Sequence, residues 1–193
     1  MNQRTLILTL GALAVAINVI AGTVIGNLNI PFLFLDVIGT IFIAALYGPY
    51  WGALVGLLTN LVLGVTSSYT SIPFAIVNIL VGLIVGFATL KFGYTIKTAL
   101  VSGVLLGVIC PAVGTVIAVA VFGGLTGGAT DIFVLWLKNA GSSVFASAFL
   151  PRLWGNLADK ILSAVLIYYV LKGIPQSLLK RPAVRQSGQS NAA

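Results

Sequence analysis

Long apolar runs, separated by short polar or Gly/Pro-rich breaks, make up most of this chain. Of its 193 residues, 59% are hydrophobic and 7% are charged, a balance outside the range of soluble domains. A membrane-spanning helix needs about 20 apolar residues, or fewer when other helices surround it. The runs therefore predict an all-α integral membrane protein with six transmembrane helices, at 5–25, 32–47, 52–65, 73–90, 98–122 and 152–171.

The basic residues predict the orientation of the chain. Lys and Arg concentrate near helix ends on the cytoplasmic side of a membrane. With six spans, the basic residues at both chain ends and between helices four and five share one side, so both termini are expected in the cytoplasm of a bacterial cell. The net charge of +7 then reflects topology rather than binding to nucleic acid. These residues are Arg4, Lys91, Lys97, Lys172, Lys180, Arg181 and Arg185.

Two segments of different composition divide the chain. Residues 1–175 carry the apolar runs and form the expected transmembrane domain in the lipid bilayer. Residues 176–193 are rich in Lys, Arg, Ser, Gln and Asn, with little that could pack, and are expected to form a disordered cytoplasmic tail.

The scarcity of reactive groups excludes most enzyme chemistry. The chain has no His, three acidic residues and a single Cys. Proton-coupled pumping, metal binding and a disulfide-based fold all lack the residues they need. An intramembrane hydrolase could be built only from Ser163 and Lys160. We therefore expect a protein without catalytic activity, cofactor or metal.

A polar stripe in the sixth predicted helix is the main candidate for a site. Charges inside a membrane cost about 2.5 to 3.5 kcal/mol each, so they are rare unless they pair or bind something. At 3.6 residues per turn, Arg152, Asn156 and Asp159 fall along one stripe, with Lys160 beside them. Asp159 and Lys160 lie about 100° apart around the helix and are poorly placed to pair, so each is expected to find a partner elsewhere. For Lys160 two roles stay open, contact with a ligand or neutralisation of Asp159. The stripe indicates a ligand pocket that opens outward; the alternative is a salt-bridge network that only fixes helix packing.

Other side chains near the predicted outer ends could extend this pocket. Two are polar residues in helices two and four, and two are aromatic residues that could stack on a flat ring or instead anchor the protein at the membrane interface. Two more polar residues, Lys138 and Asn139, face solvent unless the outer segment folds over the pocket. The other four are Asp36 and Asn78, which are polar, and Tyr69 and Trp136, which are aromatic.

The segment between helices five and six is long for a compact bundle, which usually indicates a function. It opens with GGLTGGAT at 123–130, whose glycines permit a sharp and mobile turn. A phosphate-binding loop is excluded because no Lys-Ser or Lys-Thr follows at the required spacing. The remainder is predicted to be a helix that breaks at Gly141 and lies in or against the outer leaflet.

The first helix carries Ala12 and Ala16 one turn apart. Small residues at this spacing let two helices approach closely in a membrane. The motif alone favours packing against another helix of the same chain.

Together, these features resemble the substrate-binding S component of energy-coupling factor (ECF) vitamin transporters, of the group that shares one energising module. The stretches LDVIGTIFIAALYGPYWGALVGLLTNLVLG at 35–64 and NLADKILSAVLIYYVL at 156–171 are similar to that family's second, third and last helices. The resemblance implies capture of a vitamin from outside, under a lid of outer loops. It also implies assembly with a transmembrane T component and, through it, two cytoplasmic ABC ATPases. Ala12 and Ala16 then become the contact with the T component, and the turn at 123–128 becomes the hinge of the lid.

The substrate expected from the sequence is a hydroxymethylpyrimidine or pyridoxine type of molecule, followed by pantothenate. The carboxylate of pantothenate would suit Arg152 or Lys160, and its hydroxyls Asp159 or Asn156. A self-sufficient small secondary carrier and a membrane assembly subunit without ligand are the alternative functions.

Overall fold

The computed structural model describes residues 3–30 and 32–174, and all regular structure in these residues is helical. The predicted all-α class is thereby confirmed, whereas the predicted tail at 176–193 lies outside the described residues. The α-helices are α1 (Gln3–Leu28), α2 (Ile38–Tyr47), α3 (Pro49–Thr66), α4 (Ala75–Phe92), α5 (Ile96–Phe122), α6 (Asp131–Asn139) and α7 (Val144–Gly173), and a short 3-10 helix (Tyr69–Ser71) lies between α3 and α4.

Four helices in the described part of the chain, α1, α3, α4 and α5, are long and apolar enough to cross a membrane. Helix α2 is apolar but has only 10 residues. Helix α7 has 30 residues and is long enough, but it carries Arg152, Asp159 and Lys160 along its length. The integral membrane class follows from these helices, and the count of six spans stays a prediction.

Helix α2 begins later than the sequence predicted, because residues 32–37 form a loop. Phe32 and Leu35 have φ values of 67° and 53°, in the left-handed region that a right-handed helix cannot include. The backbone N–H groups of Phe34 and Leu35 donate to Asp159 on α7 instead of to a helical carbonyl. A buried carboxylate therefore competes successfully with helix formation in this apolar stretch.

The predicted break at Gly141 is present. Helix α6 ends at Asn139, Gly141 has a φ of 92°, and the Ser143 side chain caps α7 by accepting from the Ala146 N–H. Helix α7 starts at Val144, earlier than the expected start at 152, and it includes Pro151. The polar stripe therefore lies inside a continuous helix and not at its first turn.

Helix α2 is the centre of the bundle and contacts α1, α3, α4 and α7. Close helix pairs surround it, and glycines permit their approach. A Cβ at Gly82 of α4 would meet the backbone of α3, and one at Gly103 of α5 would come within 2.8 Å of the α7 backbone at Ile161. The main apolar core consists of Val37, Ile41, Ala44, Val81, Val85, Ala99, Leu106, Cys110, Ala164 and Ile167.

Candidate ligand-binding site

A cavity of about 450 Å³ lies at one end of the helix bundle. Its walls come from the C-terminal end of α1, the loop at 32–37, the connection between α3 and α4, the Gly-rich turn after α5, and α7. This volume is in the range of small-molecule sites. Five of the residues predicted from the sequence line it: Asp36, Asn78, Arg152, Asn156 and Lys160.

Lys160 is the centre of the first charged cluster. Its Nζ donates to Asp159 Oδ2 at 2.5 Å and lies 3.8 Å from Asp36 Oδ1. The Lys160 Nζ also lies 5.6 Å from the centroid of the Phe34 ring, a cation–π distance. Helix geometry alone made a pair of Asp159 and Lys160 unexpected, and in this respect the prediction is wrong, because the long lysine side chain reaches its neighbour. Of the two roles left open for Lys160, neutralisation of Asp159 is present in the structure.

Asp159 holds the loop at 32–37 in place. It is completely buried and does not line the cavity, in contrast to its expected position within the pocket. Its Oδ1 accepts the N–H groups of Phe34 at 3.0 Å and Leu35 at 2.9 Å, while its Oδ2 faces Lys160. Both carboxylate oxygens are thus used within the protein. The side chain organises the wall of the cavity from behind.

Arg152 forms a second charged cluster with the Gly-rich turn. Its Nη2 donates to Gly124 O at 3.2 Å and Thr126 Oγ1 at 3.3 Å, and its Nη1 donates to Ala148 O. The Asp131 carboxylate lies 3.8 Å away. Because the guanidinium is 6% exposed and spans both elements, it fixes the turn against α7.

Asp131 also organises this turn. Its Oδ2 accepts the N–H of Thr126 at 2.9 Å and that of Gly127 at 2.6 Å. Gly123, Gly124 and Gly127 have positive φ values, so the turn uses the conformations that its glycines were expected to permit.

A buried amide network connects the cavity to α1. Asn78 donates to Asn60 Oδ1 at 2.9 Å and accepts from the Thr40 hydroxyl at 2.8 Å. Thr40 in turn accepts from Asn18 of α1, whose Oδ1 also receives the Gly39 N–H. Four helices are joined in this way, and hydrogen bonds of this kind satisfy polar groups that have no water in the interior.

The other residues predicted for the site lie away from the cavity. Tyr69 is 73% exposed on the 3-10 helix, and Trp136 is 67% exposed on α6. Lys138 and Asn139 are exposed at the end of α6. None of these four side chains lines the cavity. For the three on α6, the reason is that the helix packs on α7, buries Val134 and leaves its other faces exposed.

Phe32, Phe34 and Phe74 line the cavity, and the sequence analysis missed all three. Phe34 lies in the loop under Lys160, and the Phe74 ring stacks on Phe122 with centroids 6.4 Å apart. Asp131, the partner of Arg152, was also missed. A sequence signal was available for two of these residues: Phe34 is two positions from Asp36, and Asp131 is one of three acids in the whole chain.

Helix α1 exposes the face that carries Ala12 and Ala16. Its buried residues are Ile7, Ala14 and Asn18, which lie on the other side of the helix. The two alanines are therefore not packed against another helix within the described part of the chain. The packing within the chain that the motif alone favoured is thus not found among the residues that the structure describes.

The cavity offers hydrogen-bond donors and acceptors, two compensated cations and three aromatic side chains, set among helices that suit a lipid bilayer. The fold and the cavity together define a class: a helical membrane protein with a cavity of small-molecule size, lined by apolar side chains and a smaller number of polar ones.

Residues 2–176 match the family described as ECF-type riboflavin transporter, S component, and the chain belongs to this family. The S-component family predicted from the sequence is thereby confirmed. Its members are transporter subunits and not enzymes. Searches of curated proteins and of solved structures found no match.

Proposed function

We propose that this protein captures riboflavin from outside the cell and delivers it inward when coupled to a T component and two ABC ATPases. The single observation that supports riboflavin as the substrate is the match, over nearly the whole chain, to a family named for riboflavin transport. The sequence alone favoured a hydroxymethylpyrimidine, pyridoxine or pantothenate ligand, and these remain alternative substrates in the test below.

The lining of the cavity supports a flavin as ligand. A flavin has a flat three-ring system with an imide edge and a chain of hydroxyl groups. Phe34 and Phe74 present apolar surface that suits the rings. Asp36 and Asn156 offer oxygen acceptors for N–H and O–H donors at the polar side of the cavity.

The proposed topology places α1, α2, α3, α4, α5 and α7 across the membrane, with both termini in the cytoplasm and α6 on the outer side. The cavity lies at the ends of α1, α3 and α5 opposite to the turn between α4 and α5, where Lys91 and Lys97 stand. The positive-inside rule assigns that turn to the cytoplasm, so the cavity faces outward. In a bacterium this membrane is the cell membrane.

Coupling to the T component is proposed to use the exposed Ala12 and Ala16 face of α1. Two small residues one turn apart leave a shallow groove into which a partner helix can pack. The lid is proposed to consist of the turn at 123–130 and the loop at 32–37, since each contributes to the cavity wall and each is tied to α7.

Binding to the purified protein tests the substrate. We expect riboflavin to bind with one molecule per chain and a Kd tighter than about 1 µM, or roughly 8 kcal/mol, as measured by quenching of flavin fluorescence. Pyridoxine, hydroxymethylpyrimidine and pantothenate serve as competitors. If one of these three competitors binds more tightly than riboflavin, it becomes the proposed substrate, and the proposed role as a substrate-binding subunit stays. Failure of all four to bind would contradict the proposed function.

Uptake into vesicles tests the coupling. We expect riboflavin to accumulate only when the T component and both ATPases are present together with ATP. Accumulation by the chain alone would instead indicate a self-sufficient carrier.

A further inference from the structure

The two cations of the cavity wall are each neutralised by the protein itself. Lys160 contacts Asp159 at 2.5 Å and Asp36 at 3.8 Å. Arg152 lies 3.8 Å from Asp131. All three acidic residues of the chain are therefore used around this cavity.

The neutralised cations have few remaining contacts to offer. Arg152 is 6% exposed and already donates to two carbonyl oxygens and a hydroxyl, and Lys160 is 3% exposed. Three carboxylates against two cations leave a local excess of negative charge. In surroundings of low dielectric, such an excess repels an anion strongly over short distances.

From these contacts we propose that Asp131 is a specificity-determining residue: by neutralising Arg152, it makes the cavity select uncharged ligands and exclude their anionic derivatives. The inference rests on the proposed function, because it concerns which members of a vitamin class this site accepts. Asp131 acts through Arg152 and does not line the cavity.

A purely structural role for Asp131 makes a different prediction. Its Oδ2 anchors the N–H groups of Thr126 and Gly127, so its loss would loosen the turn and weaken all ligands alike. Neutralisation of Arg152 instead predicts a change in the ratio between a charged and an uncharged ligand of the same shape. The ratio therefore separates the two roles.

The decisive experiment compares riboflavin with riboflavin 5′-phosphate in wild-type protein and in Asp131→Asn. The asparagine keeps one oxygen that can accept from the turn. We expect the wild type to prefer riboflavin by about a hundredfold, and Asp131→Asn to reduce this preference at least tenfold, through a gain in affinity for the phosphate ester. Ala140→Lys is the matched control, because it makes the same change in net charge at an exposed position just after the other end of α6.

Several results would overturn the inference: a ratio unchanged in Asp131→Asn, an equal change in Ala140→Lys, or a wild type that prefers the phosphate ester. If riboflavin fails to bind the wild type, the proposed substrate fails. The same comparison is then made with pantothenol against pantothenate, and with hydroxymethylpyrimidine and pyridoxine each against its phosphate. Preference for the uncharged member of the pair that binds, lost in Asp131→Asn, then supports the inference on its own. Absence of binding in all four pairs overturns both proposals.

Discussion

Lys160 and Asp159 are consecutive in the sequence, and their side chains form a buried ion pair of 2.5 Å. The same carboxylate receives two backbone N–H groups from the loop at 32–37. One residue thus neutralises a cation on the cavity wall and fixes the loop that forms part of that wall. Ligand affinity and folding stability are consequently linked through Asp159.

Replacing Asp159 with Asn should lower both the ligand affinity and the folding stability. Lys160 would be left buried with only Asp36 at 3.8 Å, and loss of one partner of a buried pair costs about 3 to 5 kcal/mol. We expect a lower melting temperature without ligand and at least a tenfold weaker riboflavin affinity, because the loop is less firmly held. Lys97→Gln, at an exposed position away from the cavity, is the control.

The double variant Asp159→Asn/Lys160→Gln tests the origin of that loss. The double variant removes the buried cation that Asp159→Asn leaves poorly compensated, although Asp36 then loses its own partner Lys160. Part of the stability should therefore return, while the affinity should not. Additive losses in the double variant, or unchanged binding in Asp159→Asn, would contradict this account.

Arg152→Lys should release the Gly-rich turn. An ammonium group cannot reproduce the fork that reaches Gly124 O, Thr126 Oγ1 and Ala148 O together. We expect hydrogen exchange in residues 123–130 to accelerate and riboflavin to dissociate several times faster. Lys138→Arg makes the reverse exchange at an exposed residue and should change neither rate. Undiminished protection of the turn in Arg152→Lys would show that the fork does not hold it.

Asn78→Leu should destabilise the bundle through its polar network. The Thr40 hydroxyl would lose its acceptor and Asn60 Oδ1 its donor, each at a cost of about 1 to 3 kcal/mol. A clear fall in melting temperature is expected. Thr9→Val, which removes an exposed side-chain hydrogen bond on α1, should change stability by less than about 0.5 kcal/mol. Similar effects of the two variants would mean that the network contributes little.

Leucine at both Ala12 and Ala16 should separate binding from transport. The two side chains lie on the exposed face of α1, so larger residues there leave the cavity intact but fill the groove proposed for the T component. We expect riboflavin affinity within about twofold of wild type and loss of ATP-dependent uptake. Leu13→Phe, 55% exposed on the same turn, is the control and should retain uptake. If uptake persists in the double leucine variant, the T component must contact a different surface of this protein.

The helical class, most helix positions and five residues of the cavity could be predicted from the sequence. Apolar runs of sufficient length leave the backbone no partner in lipid except its own helix, so α1, α3, α4 and α5 follow from composition alone. The break at Gly141 follows from the conformational freedom of glycine. Polar residues are so scarce in this chain that Arg152, Asn156 and Lys160 had to meet partners or a ligand.

What the sequence could not provide is which groups meet across the fold. The start of α2 moved because a carboxylate far along the chain, Asp159, takes the N–H groups of Phe34 and Leu35. Asp131 belongs to the site only because it lies beside Arg152. Trp136 does not belong to it, because its side chain is exposed on the outer face of α6. These outcomes depend on distances between residues remote in sequence. Helical periodicity gives the face that a side chain occupies; only packing decides what lies opposite.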